Sequence, residues 1–381
     1  MRLKWRTLYV SDVLGRDMVD ISTEFAGLKL KNPVMTAAGP TSRDGMTLLN
    51  ATAGGAGGLV AKTVSVRPAD VPRPNMAALK EGRVGSRRGI LNTELWSELP
   101  VERWLEREYA IALSSGLPLV ASVGYTPEDV SQLGPKLEKA GVHAIEFSTH
   151  YVGGHTEIAK ALKEVVDIPI FAKISPKVDV TEVAKSLEPH VDGIVGINTY
   201  GPCLRIDIET GKPMLGSSDG FGWMSGVALK PIALRCIADI ARAVKVPVIG
   251  VGGVASGEDV IEFTMVGASA VQVCTAAILE GDTVYGKIAG QTAEWLNSHG
   301  YDSLEDIRGI ALRHMDGSAT LTPPPTVDME KCTLCGLCPK SCVYGAITVD
   351  KKNDIFEIDK DICEACGMCI SVCPYHALSA D

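Results

Sequence analysis

The sequence predicts two folded parts, a parallel (β/α)8 TIM barrel followed by a small cysteine-rich α+β domain. Three observations lead there. Between Asn32 and Leu279 a short β-branched or apolar run alternates with a helical period of ten to sixteen residues, the pattern of a parallel sheet covered by helices. Eight such units in ~250 residues match a closed barrel; a doubly wound open sheet is the alternative. Eight of the eleven cysteines then fall in the last fifty residues.

In chain order, strands are expected at 33–38, 58–64, 118–124, 144–149, 169–175, 193–199, 247–251 and 270–275, because each is an apolar run bounded by turn residues. Helices are expected at 45–53, 101–115, 127–140, 156–166, 180–188, 229–244, 257–266 and 283–299. Two connections break the rhythm: residues 66–100, rich in Pro, Arg and Gly, and residues 200–227, with six glycines. Both follow a strand, so in a barrel both sit on the C-terminal face, where active sites are built. The expected domains are an N-terminal extension at 1–18, a barrel at 19–314, a linker at 315–328 stiffened by three consecutive prolines, and a module at 329–381.

Composition narrows the function. A hydrophobic share of 46% supplies a large core, and a net charge of -9 argues against a nucleic-acid-binding surface. No apolar run approaches the ~20 residues that span a bilayer, and no secretory signal pattern is seen. A cytoplasmic setting is expected, in an organism with little exposure to oxygen. The basic stretch 1–17 has no clear period, and Met18 opens a more ordinary beginning.

The cysteines carry the first chemistry. Cys332, Cys335, Cys338 and Cys342 form one run, and Cys363, Cys366, Cys369 and Cys373, followed by Pro374, form the other. Both read C-x2-C-x2-C-x3-C, the spacing of bacterial two-cluster ferredoxins, in which the fourth cysteine crosses to the other cluster. Two [4Fe-4S] clusters are expected, one on Cys332, Cys335, Cys338 and Cys373, the other on Cys363, Cys366, Cys369 and Cys342. A disulfide framework would need an oxidising compartment, and zinc sites use paired C-x2-C units. Cys203 and Cys236 are read as a loop thiol and a core thiol.

Clusters pass single electrons while most carbon substrates take two, so a flavin is expected between them. Lys62 ends the second expected strand and Lys173 the fifth, both on the active face. Lysines within apolar strands are costly unless paired. Gly252 and Gly253 follow the seventh strand and Thr275 and Ala276 the eighth, where barrels hold phosphate on backbone N–H groups.

The motifs NPVMTAAGP at 32–40, AKTVS at 61–65, LNTE at 91–94, FAKISP at 171–176, INT at 197–199, SGVALKPIALR at 225–235, VGGVASGED at 251–259 and VQVCTA at 271–276 resemble the dihydroorotate dehydrogenase family. The likeness is closest to the FMN barrel plus two-cluster ferredoxin portion of dihydropyrimidine dehydrogenases. The resemblance implies FMN contacts at Ala37, Gly39, Lys62, Thr63, Lys173, Asn198, Ser225, Gly226, Gly252, Gly253, Cys274 and Thr275. It implies substrate contacts at Asn92, Glu94, Asn198 and Thr199, whose amide and carboxylate groups suit a cyclic amide.

One stretch departs from the family. Where the family reads N-L-S-C-P, this chain has Glu146, Phe147, Ser148, Thr149 and His150. Glu146, in place of the family's substrate-reading Asn, is expected to face an N–H or cationic group of the substrate. The proton-exchanging Cys has become Thr149, so Thr149, His150, Tyr151 or His155 is expected to take its role, with His150 preferred because imidazole titrates where proton transfer is efficient. Lys62 joins them among the catalytic candidates, as a fixed cation beside the reduced ring.

The expected function is an FMN and iron-sulfur oxidoreductase that reduces or dehydrogenates a carbon-carbon bond next to a carbonyl or amide in a small polar, cyclic substrate. The alternatives are a true dihydropyrimidine or dihydroorotate dehydrogenase, and an electron-transfer subunit without its own substrate. No G-x-G-x-x-G nucleotide fingerprint is seen. A redox partner is therefore expected, either ferredoxin or a separate FAD and NAD(P)H subunit, and the resemblance adds a homodimer or hetero-oligomer.

Overall fold

A computed structural model describes residues 19–80, 87–148, 153–315, 317 and 322–380. The expected extension at 1–18 lies outside the described residues, as do Thr149, His150 and Tyr151. The chain divides into two compact units, the first ending at His314 and the second beginning at Met315.

All eight expected barrel strands form. They are β1 (Val34–Thr36), β2 (Leu59–Val60), β3 (Leu119–Val123), β4 (Ala144–Ser148), β5 (Ile170–Ile174), β6 (Gly193–Gly196), β7 (Val248–Val251) and β8 (Ala268–Val273). Each pairs in parallel with its neighbour in the order β1-β8-β7-β6-β5-β4-β3-β2. Closure between β1 and β2 rests on a parallel bridge from Met35 to Gly58 and on the Gly57 N–H donating to the Val34 carbonyl at 2.7 Å. The buried Thr36 hydroxyl adds a bond to the Val60 carbonyl at 2.9 Å.

Helices cover the outside: α1 (Gly45–Ala53), α2 (Val101–Arg103, continuing through a π-turn at Trp104–Glu108 into Tyr109–Leu113), α3 (Pro127–Lys139), α4 (His155–Lys163), α5 (Val180–Leu187), α6 (Lys230–Ala243), α7 (Gly257–Met265) and α8 (Val284–His299). Their starts follow local chemistry. Thr126 caps α3 by accepting the Asp129 N–H at 3.1 Å, and Pro127 occupies the first helical position, where a missing N–H costs nothing. Ser256 and Asp259 form a reciprocal capping box on α7. Apolar faces of these helices meet the outward side chains of the strands in one continuous core that includes Leu48, Trp104, Leu133, Ile158, Ile237 and Phe263.

The inward side chains alternate with the outward ones, two residues apart along each strand. At the N-terminal end they are apolar: Met35, Val60, Val120, Ala144, Phe171, Val195, Ile249 and Ala270 pack on Phe25, Leu28 and Leu30. Those three belong to a short antiparallel hairpin, Thr23–Phe25 with Leu28–Leu30, that plugs the barrel floor and had no counterpart in the expected elements.

Strand ends are shorter than expected. The strand expected at 58–64 is regular only over Leu59–Val60, and that at 193–199 stops at Gly196, so Lys62, Asn198 and Thr199 stand just past their strands. The two rhythm-breaking connections turn out to be one structure. Met76–Lys80 and Arg87–Asn92 from the first pair with Gly222–Ser225 and Tyr200–Cys203 from the second in a single four-stranded antiparallel sheet.

The second unit is built twice. A short helix, Leu337–Ser341 or Met368–Ser371, follows each cysteine loop, and the strands pair as Thr326–Val327 with Leu378–Ser379 and Ile347–Asp350 with Ile355–Ile358. Thr326–Val327 falls inside the stretch read as a linker, so regular structure in this unit begins before residue 329. No helix among the described residues is long and apolar enough to cross a membrane.

The closure geometry makes a paired prediction. A Cβ at Gly57 would lie 2.0 Å from the Asn32 carbonyl oxygen, whereas one at the exposed Gly290 of α8 meets nothing within 4 Å. Gly57→Ala is expected to cost about 1–3 kcal/mol, and Gly290→Ala to add about 0.5–1 kcal/mol. Thermal unfolding of the two variants against the parent chain checks both signs.

Candidate functional site

Above the apolar floor, the inward positions of the strands turn polar. Ser122 on β3, Glu146 and Ser148 on β4, Lys173 on β5 and Gln272 on β8 are all buried. Beyond them, at the C-terminal end, opens a cavity of about 1010 Å3 counting its mouth, at the upper end of the range for small-molecule sites.

All twelve positions at which the resemblance implies FMN contacts line this cavity. Ala37 and Gly39 follow β1, Lys62 and Thr63 follow β2, Lys173 comes from β5, Asn198 follows β6, Ser225 and Gly226 end the loop sheet, Gly252 and Gly253 follow β7, and Cys274 and Thr275 follow β8. Asn92, Glu94 and Thr199, implied as substrate contacts, line it as well.

Most of the polar wall residues are held by partners. Lys62 donates to Glu94 at 2.5 Å, with the lysine side chain 7% exposed and the glutamate 16%. The other Glu94 oxygen accepts from Asn75 in a short hydrogen bond. Asn92 donates to the Trp223 carbonyl at 3.0 Å, and its own side-chain oxygen receives the Glu94 N–H at 3.2 Å. Because Trp223 pairs with Asn92 across the loop sheet, the two irregular connections together fix both residues. Asn198 donates to the Ser148 hydroxyl at 3.2 Å. Thr275 donates to the Ser225 hydroxyl at 2.8 Å.

The backbone is shaped around this space. Gly252 and Gly253 have φ of +121° and +89°, and a Cβ on Gly253 would meet the Gly226 carbonyl oxygen at 2.9 Å. A Cβ on Gly39 would strike the Cys274 sulfur at 2.6 Å. Asp259 steadies the turn after Gly253 by accepting the N–H groups of Ala255 and Ser256, each at 2.8 Å, and the Lys230 ammonium at 2.6 Å. A short helix, Thr275–Glu280, starts at the wall, and the N–H groups of its first turn have no intrahelical acceptor.

One expectation is corrected. Glu146, read as facing the substrate, is fully buried and does not line the cavity. It accepts from Gln272 at 2.6 Å and from Lys173 at 3.4 Å. The alternation along β4 places residue 146 one layer below residue 148, behind Lys173 and not beside a ligand.

Among the proton-donor candidates, Thr149, His150 and Tyr151 lie outside the described residues. His155 opens α4; its Nε2 is buried without a hydrogen-bond partner among the described residues, and burial pushes its pKa down against the raising influence of Glu157. Cys203 sits on the loop sheet away from the cavity lining, with burial raising its pKa. Cys236 is buried in α6.

Sequence reading did not single out Gln272, Ser148, Asn75 or Tyr125. A glutamine between two valines in a strand that otherwise reads apolar was a usable signal for the first. Nothing local marked Asn75 or Tyr125, which reach the site through tertiary pairing.

In the second unit the cysteines ring two cavities of about 350 and 330 Å3. Cys332, Cys335, Cys338 and Cys373 line the first, and Cys342, Cys363, Cys366 and Cys369 the second, so the fourth cysteine of each run sits with the other run. The duplication extends to backbone detail. Leu334 and Ala365 both have φ of +50°, Gly336 and Gly367 +75° and +77°. The fourth cysteines accept matching N–H bonds, Ala346 to Cys342 at 3.3 Å and Ala377 to Cys373 at 3.4 Å. No three His, Cys, Asp or Glu side chains among the described residues converge to hold a single ion; the thiols surround space for something larger, and N–H donors to the sulfurs suit cluster ligands.

Breaking the Lys62 pair gives a stability test. Glu94→Ala leaves a nearly buried ammonium without its carboxylate and is expected to cost about 3–5 kcal/mol, whereas Lys62→Met combined with Glu94→Leu is expected to cost much less. Chemical denaturation of both variants reads the difference.

Comparison with known proteins follows this geometry. The family model for dihydroorotate dehydrogenase matches residues 152–296, and that for a 4Fe-4S dicluster domain matches residues 331–377. Three relatives share the name dihydroorotate dehydrogenase B (NAD(+)), catalytic subunit. The chain is similar to that of Methanothermobacter thermautotrophicus, at 34% identity over 307 residues covering 76% of this chain and 98% of the relative. The likeness to that of Pyrococcus abyssi is 34% over 303 residues, covering 75% and 97%. For Thermoplasma acidophilum it is 32% over 311 residues, covering 78% and 100%.

Proposed function

The chain belongs to the dihydroorotate dehydrogenase family, and on that premise we propose that its barrel binds FMN and acts on a small cyclic amide of the dihydroorotate or dihydropyrimidine class, with electrons passing through two [4Fe-4S] clusters. It is a flavin-dependent oxidoreductase of CH–CH bonds with a 4Fe-4S ferredoxin domain. The observation that carries the substrate reading is the convergence of Asn92, Glu94, Asn198 and Thr199 on one cavity with Lys62 and Lys173. A pure electron relay has no use for such a wall.

The residues present fit the flavin. At Gly39, Gly252 and Gly253 a Cβ would meet protein atoms at 2.6, 2.9 and 2.7 Å, so the chain presents bare backbone to the cavity at all three. Gly252, Gly253 and the start of the Thr275–Glu280 helix offer backbone N–H groups for a phosphate. Lys62 and Lys173 provide cations for the electron-rich edge of the ring system. When bound, FMN supplies hydride exchange with carbon and the split of an electron pair into single electrons. Asn92 and Asn198 present amide groups that hydrogen-bond an N–H or C=O of a cyclic amide, and Glu94, acceptor-only when ionised, favours its N–H side. The proton is assigned to Thr149 or His150, which follow β4 in the sequence, with His150 preferred.

In the second unit, Cys332, Cys335, Cys338 and Cys373 would hold one cluster and Cys363, Cys366, Cys369 and Cys342 the other. The relatives are named as catalytic subunits, which supports a partner for this chain too: a ferredoxin or a flavin subunit that exchanges electrons with NAD(P)H. A cytoplasmic enzyme that forms homodimers or hetero-oligomers accords with this reading.

Anaerobic titration tests it. Dihydroorotate or dihydrouracil is expected to bleach the flavin absorbance; a flavin that a reductant bleaches but neither compound touches would favour the electron-transfer subunit instead. His150→Ala is expected to slow that bleaching far more than Thr149→Ala, and parent rates in His150→Ala would remove it from the mechanism. Gly253→Ala is expected to weaken FMN retention about tenfold, roughly 1.4 kcal/mol, read by flavin release on dilution. Cys342→Ser is expected to remove roughly half of the cluster iron, with the remaining signal arising from the site of Cys332, measured by iron content and electron paramagnetic resonance.

A further inference from the structure

Glu146 is a carboxylate with 0% exposure inside the barrel. Its two oxygens are both engaged. One accepts the Gln272 side-chain N–H at 2.6 Å, and the other lies 3.4 Å from the Lys173 ammonium. The Gln272 side-chain oxygen accepts from the same ammonium at 2.9 Å. The amide orientation is dictated by its neighbours: an ammonium only donates and a carboxylate only accepts, so the oxygen must face Lys173 and the nitrogen Glu146. Gln272 comes from β8 and Glu146 from β4, which are separated by three strands around the sheet, so the bond crosses the barrel interior.

The geometry points to Glu146 as the positioning residue for Lys173: directly and through the Gln272 amide, it holds the ammonium in place, aimed at the cavity. Lys173 and Gln272 line that cavity and Glu146 does not. The other titratable groups near Lys173 among the described residues are Cys274, at the end of β8, and Lys62 with its partner Glu94. Neither Cys274, a thiol, nor Lys62, a like charge, supplies the compensation that a buried ammonium needs, and Glu94 is committed to Lys62. Glu146 is the anion available to Lys173.

A double-variant comparison tests this. Glu146→Gln keeps the shape and the amide contact but leaves the buried Lys173 ammonium without a carboxylate, and Lys173→Met strands the buried Glu146. Each single variant is expected to lower the unfolding midpoint, and the two substitutions combined are expected to recover most of that loss, because both costs arise from one pair. Anaerobic thermal unfolding of the full chain, followed by tryptophan fluorescence, reads this directly, because all five tryptophans precede His314. Single variants that unfold with the parent, or losses that simply add in the double variant, overturn the inference.

The consequence for cofactor chemistry rests on the FMN reading and is measured separately. On the flavin-containing protein, Glu146→Gln is expected to move the flavin midpoint potential away from the parent value, and Glu146→Asp, which keeps the charge, to stay nearer to it. If the chain carried no FMN, the potential would have no meaning while the unfolding midpoints would still decide the pair. If FMN is present and the potential of Glu146→Gln equals the parent's, Lys173 is not coupled through Glu146 to the cofactor.

Discussion

The barrel carries charge in its interior, where closed barrels mostly pack branched apolar side chains. Lys173 is 5% exposed and Lys62 6%, and the effective penalty for burying an unpaired ion is several kcal/mol. The upper half of the barrel is arranged to meet that demand. Glu146, Gln272, Ser122 and Ser148 replace the hydrocarbon that fills the lower half, and Glu94 reaches in from a loop. A sharp boundary results. Below it, Phe25 and its hairpin close the floor with apolar packing; above it, hydrogen-bonded polar side chains share the interior with Ala37, Ile197 and Val251.

The second unit solves a different problem by repetition. Too few apolar residues lie there to form a large core: the buried hydrophobics amount to Cys338, Cys369, Ile347, Leu378 and a few neighbours. Small domains of this size usually need a staple beyond hydrophobic burial. Eight thiols arranged about two cavities provide one once they bind, and the crossed fourth cysteines tie each half of the module to the other. The left-handed turns at Leu334 and Ala365, and again at Gly336 and Gly367, let each loop fold back so that its first three thiols line one cavity.

How much of this was legible in the sequence depends on the range over which each feature is specified. The eight barrel strands and their helices follow from local periodicity, and each appears within a few residues of its expected place. The cysteine partition follows from spacing alone. Legibility stops where a residue's surroundings come from elsewhere in the chain. The hairpin at Thr23–Leu30 is too short to show a period, and the sheet formed by the two irregular connections joins residues more than a hundred positions apart, such as Asn92 and Trp223. Glu146 was misjudged for a related reason. Its neighbour in sequence, Ser148, lines the cavity, but strand alternation and rise put residue 146 a layer deeper, and only the presence of Lys173 and Gln272 at that depth makes a carboxylate there tolerable.

The two lysines, alike in burial, therefore differ in what holds them. The partner of Lys173 sits on a barrel strand whose backbone is fixed by parallel pairing on both sides. The partner of Lys62 sits just past a strand of the antiparallel loop sheet, held by Asn75, Asn92 and the Trp223 pairing, all of which belong to the same connections. The compensation of Lys62 therefore comes from the loop sheet, and that of Lys173 from the barrel wall itself. Two cations that look equivalent in sequence and in exposure thus depend on different parts of the chain, one on the two irregular connections and the other on strands specified by local periodicity.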